Sequence, residues 1–164
     1  MKHRIGIISD THLPRFNFPE AVCDVFAGVQ LIIHAGDLST LAVISTLETI
    51  APVVAVQGNI EREEVVMKVP IKREVTVGGC RIGVVHILGE ARNYARTARQ
   101  EFPLARVVVF GHSHNPYNQE HAGQLLFNPG SATDRRRQAS CSVGMLFVND
   151  EDQSVRGEII KFSR

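Results

Sequence analysis

Three times within the first sixty residues a short apolar run stops at polar residues: Ile5–Ile8 before Ser9-Asp10, Leu31–Ile33 before His34, and Val53–Val56 before Gly58-Asn59. Runs this short, without polar alternation, are expected as strands buried on both faces. Helical patterns separate them. One spans Phe18–Ala27, with Asn17 as its cap, Pro19 in its first turn and Ala21, Val22, Val25 and Phe26 on one face. The next starts after a Ser39 or Thr40 cap, repeats Leu41, Ile44, Leu47 and Ala51 at helical spacing, and ends at Pro52. Strand, loop and helix in repeated order suggest parallel pairing.

Beyond Glu64 the pattern changes. Glu74–Val77 and Arg81–Val85 flank Gly78-Gly79 as in a hairpin, so the expected sheet structure is mixed. Glu90–Phe102 predicts a helix with Ala91, Tyr94, Ala95, Ala98 and Phe102 inward and Arg92, Arg96 and Arg99 on a solvated face. Val107–Phe110 is a further strand, followed by short β runs at Tyr117–His121, Leu125–Phe127, Val143–Val148 and Val155–Phe162. With no repeat or linker, the expectation is a single α/β domain over residues 1–164, and 44% apolar content suffices for one core. Eighteen Lys and Arg against 17 Asp and Glu leave a net +1, which gives no general grip on nucleic acid or on an anionic membrane. No apolar run approaches the roughly 20 residues of a membrane span, and the first residues lack a signal-peptide layout, which points to the cytoplasm. Three widely spaced cysteines, Cys23, Cys80 and Cys141, are expected as buried free thiols.

The polar residues are not scattered. Asp10, His12, Asp37, Asn59, His86, His112 and His114 each fall at or near the end of an expected strand, where α/β sheets place ligands. Singly, each has a plainer explanation: a turn or cap for the aspartates, a turn at Gly58-Asn59, a core position for His86. Jointly they supply carboxylate, imidazole and amide donors without thiolate, a set suited to Mn²⁺, Fe²⁺, Ni²⁺ or Zn²⁺. The spacing of two within Asp10/His12 and His112/His114 puts each pair on one side of an extended backbone.

The order Asp10-x-His12, Gly36-Asp37, Gly58-Asn59, His86, Gly111-His-Ser-His114-x-Pro116 and Asn128-Pro-Gly-Ser131 resembles the calcineurin-like metallophosphoesterases, in particular their small single-domain phosphodiesterase branch. That resemblance spans residues 5 to 148. It implies two mixed β-sheets packed face to face with helices on the outer faces, a four-layer α-β-β-α sandwich. It also implies two divalent ions per chain, Mn²⁺ first among Mn²⁺, Ni²⁺, Fe²⁺ and Zn²⁺. Asp10, His12, Asp37 and His114 would hold one, and Asp37, Asn59, His86 and His112 the other. The implied reaction is hydrolysis of a small phosphodiester by in-line attack of a metal-bridging hydroxide, without a protein nucleophile, through the centre that Asp37, Asn59 and His86 help to form. The bridging position of Asp37 calls on both carboxylate oxygens. Alternatives of the same fold are a phosphomonoesterase and a non-catalytic protein-assembly scaffold; the latter has lost ligand histidines that this chain keeps.

The chain departs from the family pattern in three places. Ile60 stands where many of these phosphatases carry a leaving-group histidine, Glu61 where an aspartate is usual, and Ile87-Leu88-Gly89 where Gly-His follows the His86 position. Arg135-Arg-Arg137 is expected as a solvated loop, Asn128–Ser131 as a turn bracing the site, His34 as packing beneath it, and His3 and His121 as peripheral. Oligomeric state stays open, with an uncovered sheet edge as a route to a dimer.

Overall fold

The computed structural model describes residues 1–163. In chain order its elements are β1 (Lys2–Ile8), α1 (Glu20–Val25), β2 (Leu31–His34), α2 (Ala42–Glu48), β3 (Val53–Ala55), α3 (Glu63–Lys68), β4 (Lys72–Val77), β5 (Cys80–Val85), α4 (Tyr94–Glu101), β6 (Val107–Val109), β7 (Tyr117–His121), β8 (Gln124–Asn128), β9 (Cys141–Asn149) and β10 (Val155–Phe162). A short 3₁₀ turn, Ala91–Asn93, leads into α4. The first sheet runs β10-β9-β1-β2-β3 and the second β4-β5-β6-β8-β7. Both are mixed. β1, β2 and β3 pair in parallel, as do β5, β6 and β8, while β9, β10, β4 and β7 join antiparallel.

Period-two alternation explains the layers. Ile5 and Ile7 of β1 face Ile82, Val107, Val109 and Phe127 of the other sheet and form the inter-sheet core. Ile8, Ile32 and Met145 point the opposite way, against Val22, Phe26, Val43, Leu47 and Val65 from the α1–α2–α3 side. On the far side Val108 and Leu126 lie under Tyr94, Ala98 and Phe102. The result is the expected four-layer sandwich. No helix among the described residues is long and apolar enough to cross a membrane.

Several local expectations need correction. The cap positions fall elsewhere than expected: Pro19, not Asn17, precedes α1 and Leu41, not Ser39 or Thr40, precedes α2, neither Pro19 nor Leu41 with a side-chain cap bond. The Leu41 N–H donates instead to Glu64 Oε1 at 3.2 Å, a partner remote in sequence. Helix α3 was not expected. Its signals, Val65 and Val69 four apart, two glutamates in the first turn and Lys68 in the last, are those of one short turn and a half. The inward stripe near α4 is narrower than foreseen, since Ala91 and Ala95 are exposed. Arg99 is not merely solvated; it donates to Pro103 O and Ala122 O. Of the three free cysteines, Cys80 and Cys141 are buried but Cys23 is exposed.

Candidate metal centre

The strand ends of both sheets meet along one edge, tied together by main-chain bonds. The Asp10 N–H donates to Gly36 O at 3.0 Å, the His12 N–H to Asp37 O at 3.0 Å and the Gly111 N–H to His86 O at 3.0 Å. The strands stop short of the candidate ligands: β1 ends at Ile8 and β6 at Val109. Asp10, His12, Asp37, His112 and His114 all take left-handed backbone, with φ of 56°, 49°, 61°, 73° and 62°. The extended geometry expected for the His and Asp pairs is therefore wrong. Such conformations cost about 1–3 kcal/mol each and persist where the surroundings hold them.

Part of what holds them is a serine–threonine clasp. The Ser131 hydroxyl donates to Asp10 O at 2.8 Å, and the Thr133 hydroxyl lies 3.1 Å from Asp10 O and 2.8 Å from Thr11 O. Asn128, from the expected bracing turn, donates to Gly111 O and Ser113 Oγ, both at 3.2 Å. Two glycines permit the close approach. A Cβ on Gly58 would lie 2.0 Å from Asp37 Oδ1, and one on Gly111 2.2 Å from Ser9 Oγ. The Gly that precedes each of these two ligand positions is thus a steric requirement.

The side chains gather into two groups, Asp10 with His12 and His114, and Asp37 with His86 and His112, the potential donor atoms of each lying within 4.8 Å of one another. Asp37 Oδ2 reaches both: it is 3.6 Å from His12 Nε2 and 3.3 Å from His86 Nε2. Its Oδ1 is already engaged by the Asn59 N–H at 2.9 Å, so one oxygen, not two, faces both groups. Asp10 is arranged alike. Oδ2 accepts from Ser9 Oγ at 2.7 Å and the His112 N–H at 3.1 Å, leaving Oδ1 inward, 3.3 Å from His114 Nε2. His86 places Nδ1 2.7 Å from Ala35 O, and His114 places Nδ1 2.6 Å from Asp134 O. Donation to those carbonyls leaves each Nε2 with its lone pair inward.

Asp10 Oδ1 and His86 Nε2 are buried and have no hydrogen-bond partner among the described residues. Buried polar atoms left this way are costly unless a ligand meets them, and an inward lone pair beside a carboxylate oxygen is what a cation needs. The donors therefore fit divalent metals. Asp10, Asp37, His86 and His114 are buried, whereas Asn59 and His112 are exposed and mark the solvent side.

Charge follows the geometry. Burial by itself would raise the Asp10 carboxyl, yet contact with His114 and His12 holds it well below the ordinary carboxylate range. Asp37 behaves likewise, with burial outweighed by His86. His86 in turn is raised despite its burial because Asp37 and Asp10 favour its charged form. His112 is lowered by burial and by the neighbouring His86, and the Arg136 charge adds to this. Both carboxylates are thus ionised at neutral pH and available to a cation.

A family model for the calcineurin-like phosphoesterase superfamily domain matches residues 3–151. The chain belongs to this superfamily. It is 41% identical over 165 residues to a probable metallophosphoesterase of Methanothermobacter thermautotrophicus, covering 96% of this chain and 91% of the relative. It is 29% identical over 141 residues to a phosphodiesterase of Methanocaldococcus jannaschii, covering 77% and 82%. Among solved structures, Vps29 of Entamoeba histolytica complexed with Zn²⁺ superposes with a TM-score of 0.76 at 23% identity over 98% of this chain and 99% of that one, a likeness of fold.

The residues expected to depart from the family pattern have definite places. Ile60, the residue after Asn59, is 41% exposed. Glu61 turns inward: its carboxylate accepts from the Leu38, Ser39 and Gly58 N–H groups at 3.2, 2.7 and 2.9 Å, latching the Asp37 loop to the Asn59 loop. Sequence reading missed this role, whose only signal is an acidic residue just after the Gly58-Asn59 motif. His34 does pack beneath the site. It accepts the Gly36 N–H at Nδ1 and meets Thr11 Oγ1 through Nε2, both at 3.1 Å. Arg135, Arg136 and Arg137 are exposed, as expected of a solvated loop.

Proposed function

We propose that this superfamily member is a two-metal phosphodiesterase, with Mn²⁺ as the first candidate metal. The observation that carries this is Asp37 Oδ2 standing between His12 Nε2 and His86 Nε2, one carboxylate oxygen shared by two donor groups. Asp10, His12 and His114 would hold one cation and Asp37, Asn59, His86 and His112 the second, with Asp37 common to both. When bound, two divalent cations neutralise phosphoryl charge and lower the pKa of an attacking water.

The chain's own part is orientation. The Ala35 and Asp134 carbonyls fix the imidazoles of His86 and His114, while the Ser9 hydroxyl and two main-chain N–H groups fix the carboxylates. Exposed Asn59 and His112 stand on the side from which an ester approaches. Ile60 cannot donate a proton, so a leaving oxygen draws its proton from solvent, which favours esters of acidic alcohols. The M. jannaschii relative, a phosphodiesterase by name, supports the diester reading.

The deciding experiment combines metal analysis with hydrolysis of bis(p-nitrophenyl) phosphate and p-nitrophenyl phosphate. Two divalent ions per chain, faster diester cleavage and loss of activity on chelation are expected. A preference for the monoester would overturn the diester assignment. At most one weakly held ion, with neither ester cleaved, would favour the assembly scaffold.

A further inference from the structure

Two clefts adjoin the candidate centre, one reaching each donor group, the first with two arginines in its wall and the second with two exposed isoleucines. The first, about 290 Å³, includes His12 in its wall together with Arg15, Ser39, Ile60 and Arg62. The second, about 190 Å³, includes Asn59 and His86 together with Gln57, Ile71, Val85 and Ile87. Ile71 and Ile87 are 67% and 46% exposed, so the second cleft offers bare apolar surface beside the donors. Solvated apolar side chains gathered at a polar site are a surface for an apolar group of the ligand.

The first cleft carries two arginines. Among the arginines of the described residues only Arg92, Arg106 and Arg156 have carboxylate partners, so the Arg15 and Arg62 guanidinium groups carry none. Glu61, the acid next to Arg62, is spent on three main-chain donors and faces inward. Arg15 lies over the Phe16 ring, 5.4 Å from its centroid. The Arg62 N–H donates to Ser39 O at 3.1 Å, which joins the two loops that shape the cleft. Two unpaired guanidinium groups near one wall present planar donor forks suited to phosphate oxygens.

We infer that the preferred substrate is an asymmetric phosphodiester, one arm carrying a second phosphate held by Arg15 and Arg62 and the other an apolar group laid against Ile71 and Ile87. The inference rests on the phosphodiesterase reading. A diester seated at the donors projects one arm past His12 and the other past His86, and the two clefts sort the arms by charge.

Matched ligands test it. The p-nitrophenyl ester of thymidine 5′-phosphate is compared with the same ester bearing a 3′-phosphate, on Mn²⁺-loaded protein, with KM as the readout. Calorimetric titration of thymidine 5′-phosphate against thymidine 3′,5′-bisphosphate gives the same comparison without turnover. The added phosphate should lower KM and Kd about tenfold or more, and in Arg15→Ala/Arg62→Ala both ratios should fall to about one. Ratios taken within one variant are insensitive to any loss of folded protein. Esters cleaved equally with and without the 3′-phosphate, or a ratio that survives the double substitution, would overturn the inference. Should neither ester be cleaved while the bisphosphate still binds tighter through the two arginines, the phosphodiesterase reading fails and the phosphate cleft stands.

Discussion

The backbone N–H of Asn59 donates to Oδ1 of Asp37 at 2.9 Å, so the chain segment that carries one candidate ligand holds the carboxylate of another. Oδ2 is thereby left to both donor groups. In Asp37→Asn the amide must turn its NH₂ either against the Asn59 N–H or toward the cations, and each choice is unfavourable. Asp37→Asn should empty both sites, whereas Asn59→Ala should lose only the second ion. Elemental analysis of the folded variants checks this, and equal metal loss in the two would refute the shared role of Asp37.

Gly58→Ala places a methyl group 2.0 Å from Asp37 Oδ1 and 2.5 Å from Asp37 N. The loop must shift, and the aspartate with it. Metal affinity should fall about 10–100-fold, the usual scale for disturbing groups that support ligands. Competition with a fluorescent chelator measures it, with circular dichroism confirming the fold.

Glu61→Ala strips the acceptor from the Leu38, Ser39 and Gly58 N–H groups. Leaving such donors unmet costs about 1–3 kcal/mol, and the loss should appear in urea unfolding of metal-free protein as well as in weaker metal binding. Unchanged stability would mean that water replaces the latch.

Burial lowers the fully buried His34 to a pKa of about 3, opposed by nearby Asp10. Below pH 6.5 the unfolded chain takes up a proton that the folded chain refuses, so the contribution of His34 to stability is complete above that pH. It is lost progressively as the pH falls from there toward 3. His34→Gln retains an acceptor for the Gly36 N–H and a donor for Thr11 but does not titrate. Compared without metal, the wild type should therefore lose stability more steeply than the variant between pH 6 and pH 4 (~2 units).

Ile60 lies in the same cleft wall as His12. With no acid there, the logarithm of the rate should fall steeply with leaving-group pKa across a series of aryl and alkyl diesters. Ile60→His should flatten that dependence, general-acid help being worth about 10²–10⁴ for poor leaving groups. A flat wild-type plot with chemistry rate-limiting would mean that another residue supplies the proton.

The parts of this molecule that were readable from the sequence are those decided by nearest neighbours. Leu31–Ile33 and Val107–Val109 read as strands because burial on both faces leaves no polar alternation, and the polar residues that follow show where each run must stop. The seven candidate ligands came from the same signal. The left-handed backbone of five of them did not, because Ser131, Thr133 and the loop glycines help to impose it from distant positions. Helix α3 escaped notice because two buried valines make too short a period, and the Glu61 latch because its three donors lie in two separate loops.

The acceptors that orient His86 and His114 are the carbonyls of Ala35 and Asp134, 2.7 and 2.6 Å from Nδ1. Every amino acid carries a carbonyl, proline included, so no substitution at either position deletes the partner. Drift in the residues around the centre can thus reshape the flanking clefts while the imidazole tautomers are inherited through the path of the main chain. Specificity and chemistry become separately evolvable on one scaffold.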